Sequence, residues 1–257
     1  MSLRRAAIVA CLVASLGPGV VAGAGAAELT VSAAASLQSA FREIGRGFEQ
    51  AHPGTTVRFN FAGSGPLLAQ LRQGAPVDVF ATADHDTMER AQSEGLVAGE
   101  TRRDFASNAL VLVAPRQAPA SAAPLAALTD LRGPRVRRIA VGQPRVVPAG
   151  AYTRQALHAQ GLWSALQARF VYGDNVRQVL SYVSRGEVDA GFVYRSDALL
   201  DAARVRIVLT VPTDPPVRYP VARTARTANA VAADAFIRHL ASPAAEAVLQ
   251  AHGFGAP

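Results

Sequence analysis

From Leu29 onward, short β-rich runs and helix-like patterns take turns along the chain, and this alternation restricts the fold more than any other feature. Leu29-Thr30-Val31 is β-rich. Ser36 then stands before Leu37, Ala40, Phe41, Ile44 and Phe48, a spacing that draws one face of a helix. Val57, Phe59 and Phe61 alternate as in a half-buried strand, and Pro66 suits the first turn of a helix carrying Leu67, Leu68 and Leu71. Further strands are predicted at 77–81, 109–114, 138–142, 190–193 and 205–211, and helices at 152–166, 176–184 and 230–240. A last helix starts at Ser242-Pro243, a cap followed by proline. Such alternation builds α/β layers around mostly parallel sheets. For 257 residues, half of them hydrophobic, two sheets sharing two crossovers fit better than one wide sheet. Lobe 1 is read at 27–107 plus 220–257 and lobe 2 at 108–219. The crossovers are placed near Asn108 and within Pro212–Pro220, and the Pro/Ala-rich stretch 118–127 reads as a surface connection.

The first 26 residues have a different logic. Arg4 and Arg5 precede an apolar run, Ala6–Leu16, which is too short for a membrane span of ~20 residues. Ala24-Gly25-Ala26 then offers a small-x-small cleavage site, so residues 1–26 are expected to be a cleavable signal peptide directing export. The only cysteine, Cys11, lies inside this segment, so a disulfide framework and a cysteine zinc site are both excluded for the remainder. All 26 positive charges are arginine, which removes any chemistry that needs a lysine nucleophile, a Schiff base or a P-loop lysine. Without the leader, 24 arginines face 19 acids, a charge of +5. The cluster Arg135, Arg137, Arg138 has no interleaved aromatics and reads as a solvated face, so no nucleic-acid partner is expected.

Catalytic signatures are close to absent. The five histidines are scattered and form no HExxH-type pair. Asp84-His85-Asp86 puts three ligand types in a row, but neighbours at a helix start do not usually face one ion; a capping or surface role is expected, and no metal site. Gly63-Ser64-Gly65 is not a nucleophile elbow, and no histidine is evident as a base, so an exported serine hydrolase using Ser64 or Ser36 is a weak alternative. A different constellation recurs instead. Ala33–Leu37, Ala62–Pro66, Val147–Gly150 and Asp174-Asn175-Val176 are all strand-to-helix junctions with small or hydroxyl residues. Helix N-termini present unpaired N–H groups and a partial positive charge, which is what an anion needs. Asp174 is read as the cap of its helix.

These residues resemble a known family. Val31-Ser-Ala-Ala-Ala-Ser-Leu37, Phe61-Ala-Gly-Ser64, Gly74-Ala-Pro-Val-Asp-Val-Phe80, Val147-Pro-Ala-Gly150 and Gly191-Phe-Val-Tyr-Arg-Ser-Asp-Ala198 are similar, in order and spacing, to the periplasmic molybdate-binding proteins of ABC importers. These are type II solute-binding proteins. The resemblance spans Leu29 to Phe254 and implies a two-lobed α/β fold with a ligand cleft between the lobes. It implies molybdate or tungstate as ligand, no cofactor, a monomeric carrier, and a membrane permease with its ATPase as partners. By motif position, Ser36 and Ser64 would offer hydroxyl and amide donors, Ala149 and Val176 backbone N–H groups, and Tyr194 its phenol. Two departures stand out: the family often has a run of serines where this chain has Gly63-Ser64-Gly65, and Arg195 replaces a small residue. Molybdate is a bare dianion near neutral pH, so a donors-only pocket suits it, whereas hydrogenphosphate would want an acceptor. Sulfate or thiosulfate is the harder competitor, since cavity size must reject it.

Overall fold

The computed structural model describes residues 27–117 and 125–257. The leader read at 1–26, and residues 118–124 of the proposed connection, lie outside the described residues. Ten strands fall into two five-stranded sheets. The first has the order β2 (Thr55–Ala62), β1 (Ala27–Ala34), β3 (Val79–Ala81), β10 (Val217–Arg223), β4 (Arg103–Asn108). The second has the order β7 (Phe170–Gly173), β6 (Ile139–Gly142), β8 (Ala190–Tyr194), β5 (Leu110–Pro115), β9 (Val205–Val211). In each sheet one strand opposes its neighbours: β10 is antiparallel to β3 and β4, and β5 to β8 and β9. Both opposing strands arrive by a crossover, β4 to β5 through Ala109 and β9 to β10 through residues 212–216. The two lobes therefore repeat one topology and exchange one strand's direction at the hinge.

Helices cover both sheets. They are α1 (Gln38–Ala51), α2 (Ser64–Arg72), α3 (His85–Ser93), α4 (Pro148–Ala159), α5 (Trp163–Leu166), α6 (Val176–Ser184), α7 (Arg195–Leu200), α8 (Ala230–Leu240) and α9 (Pro243–Ala251). The face foreseen for α1 is the buried one: Ala40, Phe41, Ile44 and Phe48 pack inward, and Phe236 of α8 meets Phe48 and Phe41 edge-on at 5.3 and 6.1 Å. Trp163 sits in the core against Phe170, ring centroids 4.6 Å apart. Ser242 caps α9 by accepting from Ala245 N–H.

Several boundaries differ from the sequence reading, each for a local reason. The helix expected over 152–166 starts earlier, at Pro148, and is cut after Ala159, where Gly161 takes a positive φ that no helix accommodates. The segment Pro212–Pro220 is not all hinge: from Val217 it is β10, which joins the first sheet ahead of the boundary drawn at 220. Pro220 fits inside that strand because the register shifts between Tyr219 and Pro220, and a bulge needs no N–H there. The cap of α6 is Asn175, whose side chain accepts from Gln178 N–H; Asp174 is exposed and does not perform that role. No helix among the described residues is long and apolar enough to cross a membrane.

Candidate functional site

In open α/β sheets, ligands gather where parallel strands end and helices begin. Six such ends meet here, three from each lobe: Ala34, Ala62 and Ala81 from β1, β2 and β3, and Gly142, Gly173 and Tyr194 from β6, β7 and β8. Ser36 lies in a single 3-10 turn between β1 and α1, and Ser64 is the first residue of α2. Ala149 is the second residue of α4, Val176 the first of α6, and Tyr194 the last of β8. All five are buried. First-turn amides have no partner within their own helix, so these positions aim N–H groups and the positive ends of helix dipoles at the cleft. Only Asn175 among the caps of α2, α4 and α6 engages an amide with its side chain, and that amide belongs to Gln178.

Contacts link Ser36, Ser64 and Tyr194 to one another through Ala83 and Tyr219; Ala149 and Val176 stand at the helix starts facing them from the second lobe. Ser64 Oγ accepts from Ala83 N–H at 3.2 Å, and Tyr194 Oη donates to the carbonyl of the same Ala83 at 3.5 Å. Tyr194 and Tyr219 meet edge-on at 5.9 Å, and Tyr219 Oη is 3.0 Å from Ser36 Oγ. Arg177, next to Val176, donates through Nη2 to the Ser36 carbonyl at 3.1 Å. Gly65 N–H donates to Val146 C=O at 2.9 Å, linking the start of α2 to the loop before α4. That loop can approach only because residues 63 and 65 lack side chains: a Cβ on Gly63 would sit 2.8 Å from the Asp174 carbonyl oxygen, and one on Gly65 2.6 Å from that of Val146. The glycines that replace the family's serines thus let two backbones touch. Gly150 serves the same end within the second lobe, its Cα facing Gly142 so closely that a Cβ would stand 1.9 Å from the carbonyl oxygen.

Two of these side chains keep a proton to donate. Burial pushes the Tyr194 phenol well above its ordinary value, so it stays protonated and able to donate. Ser64 already uses an acceptor position on Ala83 N–H, which leaves its own proton for the cleft. Arg177, half-buried near the lobe boundary, is matched: its Nε lies 2.7 Å from Oδ1 of the fully buried Asp197, off the hydrogen-bond direction, and neither atom has another partner among the described residues. Arg195 is exposed, and its backbone N–H donates to the Ala109 carbonyl.

Other candidates resolve into structural roles. Asp84 caps α3 by accepting from Thr87 N–H at 3.1 Å, while His85 turns to Asp104 at 2.8 Å, so the Asp84-His85-Asp86 triplet does not converge on one point. Arg135, Arg137 and Arg138 are exposed. Among the described residues, neither Ser36 nor Ser64 hydrogen-bonds a histidine. The sequence reading overlooked Tyr219, Asn108 and Arg177. Val217, Tyr219 and Val221 do alternate as a strand would, a signal masked by the surrounding prolines.

Comparison with known proteins agrees with this architecture. The chain is 37% identical over 230 residues to a putative ABC transporter substrate-binding lipoprotein, YvgL, of Bacillus subtilis, covering 89% of this chain and 86% of that one. It is 34% identical over 249 residues to the molybdate-binding protein ModA of Haemophilus influenzae, covering 96% of each. Among solved structures, the periplasmic molybdate-binding protein of Azotobacter vinelandii superposes with a TM-score of 0.77 at 28% identity, covering 89% of this chain and 99% of that one. The pattern that defines the Bacterial extracellular solute-binding protein family matches residues 29–255, nearly the whole described chain, and to that family this protein belongs.

Proposed function

We propose that this protein binds molybdate in the cleft between its lobes and hands it to an ABC importer, a membrane permease driven by an ATPase. What supports the reading is a set of donors at the lobe boundary: helix-start amides, a Ser64 hydroxyl that accepts from Ala83 N–H and keeps its proton, and a Tyr194 phenol held neutral by burial. Tungstate has the same charge and nearly the same size, and the same donors would hold it. Ser36, Ser64, Ala149, Val176 and Tyr194 are the proposed ligand residues, with no cofactor. Relatives named as molybdate-binding proteins at this level of identity support the choice of ligand. Export to the periplasm as a monomer follows from the leader and from the carrier role. Because each lobe holds only part of the donor set, ligand should favour the closed arrangement. The family is one of carriers rather than enzymes.

Calorimetry on the mature chain tests the ligand. Molybdate should bind at least ~100-fold tighter than sulfate, about 2.7 kcal/mol, and phosphate more weakly still; sulfate binding as tight as molybdate would overturn the assignment. Ser36→Ala and Ser64→Ala should each weaken molybdate binding by ~1–3 kcal/mol, the cost of losing a buried donor to a charged group. Wild-type affinity in both variants would remove these residues from the site.

A further inference from the structure

The crossover between the lobes carries a hydrogen-bond chain that ends on Ser36. Asn108, the last residue of β4, accepts Ala109 N–H on its Oδ1 at 2.9 Å. A backbone N–H can only donate, so this bond fixes which end of the amide is oxygen, and Nδ2 must be the donor. Nδ2 reaches Ser196 Oγ of α7 at 2.8 Å and Tyr219 Oη of β10 at 3.3 Å. Tyr219 is fully buried and its hydroxyl touches only Asn108 and Ser36 among the described residues. Having accepted from Asn108, Tyr219 has one buried proton to place, and Ser36 Oγ at 3.0 Å is the acceptor available. An unpaired buried hydroxyl proton costs more than a made bond, so the opposite sense is disfavoured.

We infer that Asn108 and Tyr219 are positioning residues that polarise Ser36: the relay Asn108 to Tyr219 to Ser36 takes one of the serine's two acceptor positions and biases its proton toward the cleft, which favours fully deprotonated oxyanions over proton-bearing ones. An oxyanion that carries a proton needs an acceptor in the cleft, and a Ser36 that already accepts from Tyr219 is the poorer acceptor, with one lone pair left and its proton aimed at the ligand. Release the relay and the hydroxyl can turn, accepting as readily as it donates. The relay also ties selectivity to the hinge, since the amide that sets it bonds both lobes at the point where the chain crosses. This inference rests on the oxyanion reading of the cleft but not on which dianion fills it.

The test is a double-mutant cycle on the mature chain, titrated with molybdate by calorimetry, with phosphate as competitor near neutral pH, where every phosphate species carries a proton. Tyr219→Phe should weaken molybdate about tenfold and Asn108→Ala about fivefold. The double variant should bind no worse than about tenfold below wild type, because either change alone breaks the chain. The molybdate-to-phosphate affinity ratio should fall about tenfold in Tyr219→Phe. Losses that multiply to about fiftyfold, or an unchanged ratio, would overturn the relay. Asn108 is half-buried and its truncation leaves the core intact, so its single arm stands even if the tyrosine variant folds poorly. If the wild type prefers sulfate, the ligand assignment fails while the same cycle on sulfate still decides the relay; binding of no oxyanion at all would overturn both.

Discussion

Gly65→Ala should abolish most ligand affinity while leaving the ligand-free protein as stable as the wild type. The new Cβ would stand 2.6 Å from the Val146 carbonyl oxygen, 2.8 Å from its Cα and 2.9 Å from its Cβ, and the first two are backbone atoms with no rotamer to yield. Only separation of the lobes relieves the overlap, and it would also break the bond from Gly65 N–H to that carbonyl. Within its own lobe the substitution is benign. Residue 65 lies in the first turn of α2 without a positive φ, where alanine is a better helix former than glycine. The strain therefore falls on the closed state alone, and a ligand that needs both lobes loses the difference between the states. A loss of at least ~100-fold in molybdate affinity is expected, about 2.7 kcal/mol. The melting temperature without ligand should not fall, and ligand-induced compaction in small-angle scattering should disappear. Wild-type affinity in Gly65→Ala would mean that the bound state does not use this interlobe contact.

That contact illustrates which parts of the molecule were legible in the sequence. Helices α6 and α8 appear at the residues the pattern gave, 176–184 and 230–240, because each has a strong apolar face. Four strand-to-helix junctions could be read from neighbouring residues alone, whereas the five ligand positions, Tyr194 above all, came from the resemblance to the molybdate-binding family. Strands β4 and β7 were missed: Arg103–Asn108 is largely polar, and Phe170–Gly173 spans four residues and is half-buried at a sheet edge. Strand β10 was hidden by prolines that a bulge accommodates. What no local pattern could give is pairing over distance. Ser36 with Tyr219, Asn108 with Ser196 and Arg177 with the Ser36 carbonyl are separated by 183, 88 and 141 residues; the first depends on the return of β10 to the first sheet, the other two on the way the crossovers stack the lobes. Gly63 and Gly65 were noted only as departures from the family's serines; their role is visible once the opposing backbone is in place.

Arg177→Met should destabilise the protein more than any of the serine, asparagine, tyrosine or glycine substitutions, and its cost should depend on pH. Asp197 has no exposed surface, and burial pushes its carboxyl up from an ordinary 3.8 to about 6, even though Arg177 draws it down and Tyr194 N–H bonds it at 3.3 Å. A carboxyl whose folded value lies above its unfolded value favours folding most when protonated. Stability from this group is therefore greatest below about pH 4, declines as the pH climbs to about 6, and is level beyond, a span of about 3 kcal/mol. Removing Arg177 takes away the nearest opposing charge and pushes the carboxyl higher still. The stranded carboxylate should then cost ~1–3 kcal/mol between pH 7 and pH 8, bounded because the variant can protonate it instead, or roughly 2–10 °C in melting temperature for a chain of this size. Acidification should help it, because a neutral Asp197 needs no cation; the gap to wild type should narrow at pH 5 and be widest at pH 8. Arg177→Met combined with Asp197→Leu should recover much of the loss, since two apolar side chains leave no buried charge. Thermal melts of the three proteins at both pH values decide the matter. A gap that does not change with pH, or a double variant as unstable as the single one, would show that the cost comes from the lost bond to the Ser36 carbonyl and from packing rather than from the stranded carboxylate.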